Sequence, residues 1–229
     1  MSRQSSVPRS SRASAGSVLA QLRGAKRLPR EFFNRDAVTV AHELLGKLLI
    51  RREGRMLLAG RVVEDEAYLG EEDPAAHAFA GRTARNFVLF GPPGHAYVYF
   101  IYGNHFCLNV SCMPEGHGEC VLFRALEPVF GVEAMSQARG IDLPPSPRLS
   151  QLRMLASGPG RMTQALGVTR ERDNNKDLTS RASDLWLADD GFRPHQILAT
   201  PRIGITKAVE HPLRFAIAGD PYVSGKRSE

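Results

Sequence analysis

The stretch RVVEDEAYLGEEDPAAH, residues 61–77, joins the apolar pattern of a β-strand to a dense group of carboxylates. Because successive side chains of a strand point to opposite faces, Asp65 is expected on one face with Val63 and Ala67. The other face is expected to carry Val62, Glu64, Glu66 and Tyr68. The pattern predicts a strand that leaves the core and carries a carboxylate into a cleft.

Length and composition predict a soluble globular protein. Its 229 residues can bury a sizeable core, and shares of 42% hydrophobic and 24% charged residues are ordinary. No apolar run approaches the roughly 18 residues that a membrane span needs. The three cysteines are few and follow no secretory signal, which favours reduced thiols. We therefore expect a cytoplasmic protein, associated with the nucleoid if the source is bacterial.

The net charge of +6 lies in the N-terminal segment. Residues 1–30 contain seven basic residues and no acid, which leaves 23 basic and 24 acidic residues for the rest of the chain. Any nucleic-acid surface on the body must therefore be a local patch. Residues 1–28 are rich in Ser and Arg and lack periodicity, so we predict a disordered basic arm. Organelle targeting and a phosphate-gripping role both stay open for it.

The remaining chain mixes helical and strand patterns without an internal repeat. A short amphipathic helix is predicted at residues 36–45, ended by Gly46. Strand patterns follow it, and further helices and strands are predicted towards the C-terminus. The sequence thus predicts a single α+β domain over residues 29–224, with a flexible tail at 225–229.

The segment AYVYFIYGNHFCLNVSC, residues 96–112, is typical of a β-hairpin. Gly103 and Asn104 fit a two-residue type II′ loop. The pairs expected across the strands are then Tyr102 with His105, Phe100 with Cys107, and Val98 with Asn109. The opposite face is predicted to be core and carries Tyr97, Tyr99, Ile101, Phe106, Leu108 and Val110. Beside the turn, Tyr102 is either a wedge for a duplex step or an ordinary exposed residue.

Six acids lie within ten positions, from Glu64 to Asp73, and three interpretations compete. The simplest is a solvated acidic turn. The second is a metal site for hydrolysis by a divalent ion, built from Glu64, Glu66, Asp73 and His77. The third is one general base that positions a water. The local sequence does not separate them.

Other familiar site motifs are missing from the sequence. The cysteines and histidines between positions 105 and 120 lack the Cys-x2-Cys spacing of structural zinc, and Cys107 falls within a predicted strand. There is no glycine-rich dinucleotide motif, phosphate loop or Ser nucleophile elbow. These absences remove several common enzyme classes, and we predict neither a metal nor a cofactor.

Four segments, taken together, resemble the alkyladenine (3-methyladenine) DNA glycosylase family: VEDEAYLGEEDPAAHAFAGRTARN, YVYFIYGNHFCLNVS, VLFRALEP and SGPGRMTQALGV. The likeness runs in the same order from about residue 30 to residue 224. It implies a single α+β domain around a curved antiparallel β-sheet, with peripheral helices. It also implies a protruding hairpin that enters the DNA minor groove.

The resemblance implies roles for individual positions. Glu66 matches the acid that activates the hydrolytic water, and Arg124 matches the residue that holds this water with it. Tyr102 matches the intercalating residue that fills the gap left by a flipped nucleotide. The residues matched to the base pocket are Tyr68, His77, Tyr99 and Asn109. There the Tyr rings stack on the base, His contacts its edge, and Asn helps to reject guanine.

The activity implied by the resemblance is base-excision repair of double-stranded DNA. Such an enzyme flips out alkylated or deaminated purines, such as 3-methyladenine, 7-methylguanine, hypoxanthine or ethenoadenine. It hydrolyses the N-glycosidic bond with a Glu-activated water and leaves an abasic site. We expect a monomer, because no heptad or large apolar stripe suggests self-association.

The distribution of basic residues adds two expectations. None of the five lysines lies between positions 48 and 175, where the site motifs fall. Since glycosylases that nick the strand use an amine nucleophile, this favours a water nucleophile and a monofunctional enzyme. Phosphate contacts are predicted at a basic turn and at a helix start. The residues concerned are Arg82, Arg85, Ser157, Gly158 and Arg161.

Two hypotheses from other classes remain. A metal-dependent hydrolase would use Glu64, Glu66 and His77, and a chelator would inactivate it. A non-catalytic module that binds damaged DNA or RNA would retard nucleic acid in a gel without releasing a base.

Overall fold

The structure, a computed structural model, describes residues 15–101, 103 and 105–225. Within these residues it combines a nine-stranded sheet with seven helices. The strands are β1 (Lys26–Arg27), β2 (Leu48–Glu53), β3 (Met56–Tyr68), β4 (Ala96–Ile101), β5 (His105–Ser111), β6 (Cys120–Phe130), β7 (Leu185–Asp189), β8 (Ile197–Thr200) and β9 (Arg214–Ile217). The helices are α1 (Ala15–Gly24), α2 (Arg30–Phe33), α3 (Ala37–Leu44), α4 (Val132–Ala138), α5 (Leu149–Ala156), α6 (Pro159–Ala165) and α7 (Arg170–Asp173).

The sheet is organised around β3, which is its longest strand. Antiparallel β6 pairs along one edge of β3. The other edge is shared, because β2 pairs with the first half of β3 and β9 pairs with its second half. The ladder with β6 also shifts register at three places, and such β-bulges bend a strand. The sheet therefore curls, and the predicted α+β domain around a curved antiparallel sheet is confirmed.

Helix α3 is formed as its sequence predicts. The Asp36 side chain accepts a hydrogen bond of 2.8 Å from the Thr39 N–H, which satisfies one of the free donors at the helix start. Val40, Ala41 and Leu44 are fully buried on the inner face and join the main core. Gly46, just beyond the helix, has φ of 88° and lies against Phe192, so the turn needs a residue without a side chain.

The N-terminal segment departs from the prediction over its second half. Residues 15–24 form α1 and residues 26–27 pair with β7, whereas a disordered arm was expected up to residue 28. The reason is apolar burial, since Leu22 packs with Leu48 and Ile50 on the outer face of the sheet. Residues 1–14, and residues 226–229 of the predicted tail, lie outside the described residues. Within the described residues, no helix is long and apolar enough to cross a membrane.

The hairpin of β4 and β5 has a different register from the predicted one. Tyr97 lies opposite Asn109, Tyr99 opposite Cys107, and Ile101 opposite His105, so the loop has three residues instead of two. A shift of one residue moves every side chain to the other face relative to its partner strand. Tyr97, Tyr99 and Ile101 therefore share a face with Cys107 and Asn109. Tyr97 is buried as predicted, but in a second core cluster. Tyr99 and Ile101 are only partly buried, so the core prediction was wrong for them. Leu108 and Val110 join the main core as predicted, and Val98 joins it against the prediction. Tyr102, the predicted intercalating residue, lies outside the described part of the loop.

Asp65 lies on the core side of β3, as alternation predicts. It pairs with Phe123 of β6 and Phe215 of β9, and its side chain is fully buried. Neither carboxyl oxygen has a hydrogen-bond partner among the described residues. Burial, followed by the charges of Glu64 and Glu66, raises the pKa of Asp65 well above its usual value. Folding therefore favours the protonated form of this carboxyl relative to the unfolded chain.

We expect the stability of the wild type relative to Asp65→Asn to fall as the pH rises. A raised folded-state pKa favours folding fully below the unfolded pKa of about 3.9, and this contribution is lost as the pH rises towards the folded pKa. Between pH 5 and pH 8 the difference in unfolding free energy should therefore shift towards the variant. Urea unfolding at both pH values measures it, with the exposed Glu72→Gln as control. A pH-independent difference would mean that Asp65 titrates normally.

Candidate active site

A cavity of about 520 Å³ opens between the β4–β5 hairpin, the end of β3 and residues 203–207. Its volume is in the range of small-molecule sites. The lining includes Tyr68, His77, Tyr97, Tyr99, Cys107, Asn109, Cys120, Arg124, Pro159, Ile203 and Lys207. The structure therefore brings together five of the predicted site residues, namely Tyr68, His77, Tyr99, Asn109 and Arg124.

Glu66 lies directly behind the cavity wall and is fully buried. Its Oε1 accepts a hydrogen bond of 2.8 Å from the Ile203 N–H and lies 3.0 Å from Nη1 of Arg124. Its Oε2 accepts a hydrogen bond of 2.9 Å from the Tyr68 hydroxyl. All three partners line the cavity, so the carboxylate reaches the cavity only between them. Paired donors hold its orientation and compensate for its burial.

Glu64, two residues earlier on the same face of β3, anchors the arginine. Its Oε1 accepts from Nε of Arg124 at 3.0 Å and from Nε of Arg214 at 2.7 Å. The backbone N–H and hydroxyl of Ser224 donate to the same carboxylate, at 2.6 and 2.9 Å. Burial opposes the charge of Arg124, but Glu66 and then Glu64 raise its pKa above the usual value. Arg124 is thus a permanent cation held between two carboxylates.

One wall of the cavity is aromatic. The rings of His77 and Tyr99 lie 4.5 Å apart between centroids, and those of Tyr97 and Tyr99 lie 5.4 Å apart. His77 Nδ1 and the Tyr97 hydroxyl share a hydrogen bond of 3.0 Å. Burial raises the pKa of Tyr97 to about 12, so this hydroxyl keeps its proton. Partial burial and the charge of Arg85 lower the pKa of His77, so the imidazole is neutral at neutral pH.

Asn109 is held rigidly at the cavity wall. Its Nδ2 donates to the Tyr97 carbonyl at 3.1 Å, and the Cys120 thiol approaches its Oδ1 at 3.9 Å. Since Tyr97 and Asn109 are opposite each other across the hairpin, the backbone register fixes where this amide lies. The amide therefore presents one defined polar edge to the cavity.

Residues 203–207 were missed by the sequence analysis. They have no regular secondary structure, yet Ile203 bonds to Glu66 and Lys207 lines the cavity. The prediction of a water nucleophile was based on the absence of lysines between positions 48 and 175, and Lys207 reaches the site from outside that range. No local pattern marks the segment, because its role depends on contacts with β3, far away in sequence.

The three acids and one histidine proposed as a metal site do not gather into one ligand set. Glu64 binds Arg124 and Arg214, whereas Asp73 binds Arg202 and the backbone N–H groups of residues 69 and 75. His77 bonds to Tyr97 instead. Over the described ranges, no three His, Cys, Asp or Glu side chains group as metal ligands.

The predicted phosphate contacts differ in accessibility. Arg82, Arg85 and Arg161 are exposed. Ser157 is buried, and its N–H donates to the Arg153 carbonyl at 3.1 Å. Gly158 precedes α6 with φ of 129°, a conformation that favours glycine. The arginines are therefore better placed to meet an anion than Ser157 is.

Comparison with known proteins gives a consistent result. The family model for "Methylpurine-DNA glycosylase (MPG)" matches residues 31–221. A protein of Koribacter versatilis is 62% identical over 211 residues, covering 92% of this chain and 98% of its own length. A protein of Methanoculleus marisnigri is 51% identical, covering 86% of this chain and 98% of its own. A third, from Chlorobaculum parvum, is 42% identical, covering 88% and 92%. All three carry the name "Putative 3-methyladenine DNA glycosylase".

Removing the charge of Glu64 should destabilise the fold. Glu64→Gln leaves Arg214 without its buried carboxylate and Arg124 with only Glu66, so we expect a loss of about 3 kcal/mol in unfolding free energy. Urea denaturation measures the change. Glu43→Gln is the matched control, because Glu43 pairs with Arg35 on the surface and should cost less than about 1 kcal/mol. Equal effects of the two substitutions would contradict an anchoring role for Glu64.

Proposed function

The chain belongs to the methylpurine-DNA glycosylase family, and from this membership we propose that it excises alkylated or deaminated purines from double-stranded DNA as a monomer. The substrate class is 3-methyladenine, 7-methylguanine, hypoxanthine and ethenoadenine. One observation carries the proposal for the mechanism: Glu66 and Arg124 are paired at 3.0 Å in the wall of an aromatic cavity.

The target base must leave the duplex before it can enter such a cavity. Extrusion costs roughly a few kcal/mol, and least for bases that pair weakly. Tyr102, which lies between β4 and β5 in the sequence, would fill the vacated stack and offset part of this cost. Exposed Arg82, Arg85 and Arg161 would hold the DNA backbone, since phosphate contacts fix position without reading sequence.

The cavity suits a damaged purine. Tyr68 and Tyr99 offer ring faces on which a cationic alkylated base stacks favourably. Because His77 is neutral, it can hydrogen-bond to a base edge without repelling that cation. The fixed amide of Asn109 would clash with the 2-amino group of guanine. 7-Methylguanine carries the same group but is still released, because its positive charge makes it a good leaving group. These contacts support selection of damaged purines over normal ones.

The chemical step is hydrolysis at C1′ of the sugar. The base departs with the electron pair of the C1′–N bond and leaves an oxocarbenium-like sugar, which the Glu66 carboxylate stabilises. A cationic base leaves as a neutral molecule, and a neutral base leaves as an anion that takes up a proton from water. Glu66 takes one proton from a water, and the oxygen of that water bonds to C1′. Each carboxylate oxygen has two lone pairs, so Oε2 can bind this water while it accepts from Tyr68. Arg124 lies 3.0 Å from Oε1, so it orients the carboxylate and contributes to placing the water.

Glu66→Gln should abolish excision and leave damaged-DNA binding largely intact, because an amide cannot accept the proton from water. We expect a rate loss of at least about 100-fold in release of hypoxanthine and 7-methylguanine from duplexes. Exposed Glu72→Gln is the control and should behave as the wild type.

A chelator should leave the wild-type rate unchanged. Loss of binding and excision together in Glu66→Gln would refute the catalytic assignment, and loss of activity with chelator would support a metal-dependent hydrolase instead.

Borohydride should trap no covalent complex between the enzyme and DNA, although Lys207 lines the cavity. A water nucleophile leaves no imine to reduce, whereas attack by a lysine amine would form one. The assay compares the wild type with Lys207→Ala on a hypoxanthine duplex. A trapped adduct that disappears in Lys207→Ala would overturn the proposal of a monofunctional enzyme.

A further inference from the structure

Arg202 is buried next to the candidate site and has no role in the reaction described above. Its two terminal nitrogens, Nη2 and Nη1, donate to Oδ1 and Oδ2 of Asp73 respectively, the first at 2.8 Å. Nη1 also donates to the Ala67 carbonyl at 3.1 Å. The side chains of Arg202 and Asp73 are 0% and 1% exposed. This bidentate pair holds the irregular segment that leads to the cavity against the end of β3.

The Arg202 guanidinium also lies over the ring of Tyr68, with 4.6 Å between its central carbon and the ring centroid. Tyr68 lines the cavity and Arg202 does not, so the cation covers the ring from outside. A cation on one face of an aromatic ring draws π-electron density towards itself, which weakens the attraction of a second cation to the opposite face.

Both oxygens of Glu66 depend on groups that Arg202 holds. Oε2 accepts from the hydroxyl of Tyr68, whose ring Arg202 covers. Oε1 accepts from the N–H of Ile203, which follows Arg202 in the chain. Displacement of the guanidinium would therefore disturb two of the three donors that orient the carboxylate.

A purely structural role is a poor explanation of this arrangement. A buried ion pair adds little net stability compared with apolar residues of the same size. Nε of Arg202 is also buried without a hydrogen-bond partner among the residues that the structure describes, which adds to the cost. The chain contains a second fully buried pair, Arg51 with Asp173, whose members do not line the cavity.

We propose that Arg202 is a positioning and specificity-determining residue for base excision: held by Asp73, it orients Glu66 through Tyr68 and Ile203, and its charge behind Tyr68 tempers the preference for cationic purines. The inference rests on the proposed function. It predicts two separable effects, a lower rate when the orientation is lost and a change in substrate ratio when the charge is lost.

The test uses the double variant Arg202→Met with Asp73→Asn, which removes both charges and leaves no buried ion unpaired. Single-turnover release of 7-methylguanine, a cation, and of hypoxanthine, a neutral base, is measured with saturating enzyme. We expect hypoxanthine release to slow by about 10-fold or more, and the ratio of 7-methylguanine to hypoxanthine rates to rise about 3- to 10-fold.

Arg202→Lys keeps the charge without the bidentate geometry, so it should restore the substrate ratio while both rates stay low. It also serves as the second variant if the double variant does not fold. The matched control, Arg51→Met with Asp173→Asn, removes a buried pair away from the cavity and should leave the substrate ratio as in the wild type.

Three results would overturn the inference. One is an equal loss of rate on both substrates, which indicates a merely structural role. Another is wild-type rates in the double variant. The third is the same change of ratio in the Arg51 control. Failure of the proposed function gives a different result, because the wild type itself would then release neither base. Failure of the inference alone leaves the wild type active and appears only in the variants.

Discussion

Charge compensation along β3 is the constraint on which the rest of the structure depends. Glu64 and Glu66 are fully buried on one face of this strand, and isolated carboxylates there would cost far more than folding can supply. Arg124 from β6 and Arg214 from β9 offset that cost by pairing with the carboxylates. Hydrogen bonds from the backbone N–H groups of Ile203 and Ser224 add to this compensation. The strands on both edges of β3 are thus tied to the carboxylates that they enclose. The same network orients the acid that the proposed chemistry requires.

The site is built at the place where this network meets the hairpin. Pairing of β5 with β6 brings Asn109 beside Leu122, close to Arg124. The actual register of the hairpin turns Tyr97, Tyr99 and Asn109 towards the cavity and leaves Val98 and Leu108 for the core. Polar and aromatic residues therefore separate from aliphatic ones across the same two strands. One face of the hairpin therefore lines the cavity, and its other face packs in the hydrophobic core.

Two neighbouring acids show how the environment gives the same chemical group different properties. Asp65 and Glu66 are consecutive and equally buried, but they lie on opposite faces of β3. Glu66 has three donors, whereas Asp65 has no partner among the described residues and has a raised pKa. Polar and charged partners surround the carboxylate of Glu66, whereas burial disfavours the charged form of Asp65. Position on the strand, and not residue type, determines which of them can act as a base.

Local sequence determined much of this protein. Strand alternation placed Glu64, Glu66 and Tyr68 on one face, the Asp36 cap marked the start of α3, and the ordered motifs matched a family. The predicted register of the hairpin was wrong by one residue, because the sequence between the two strands is compatible with a loop of either two or three residues. Only the tertiary structure decided which acids pair with Arg124, and that Arg202 and Lys207 reach the site. These contacts join segments far apart in the chain, and they form because buried charges need partners wherever the fold can bring them.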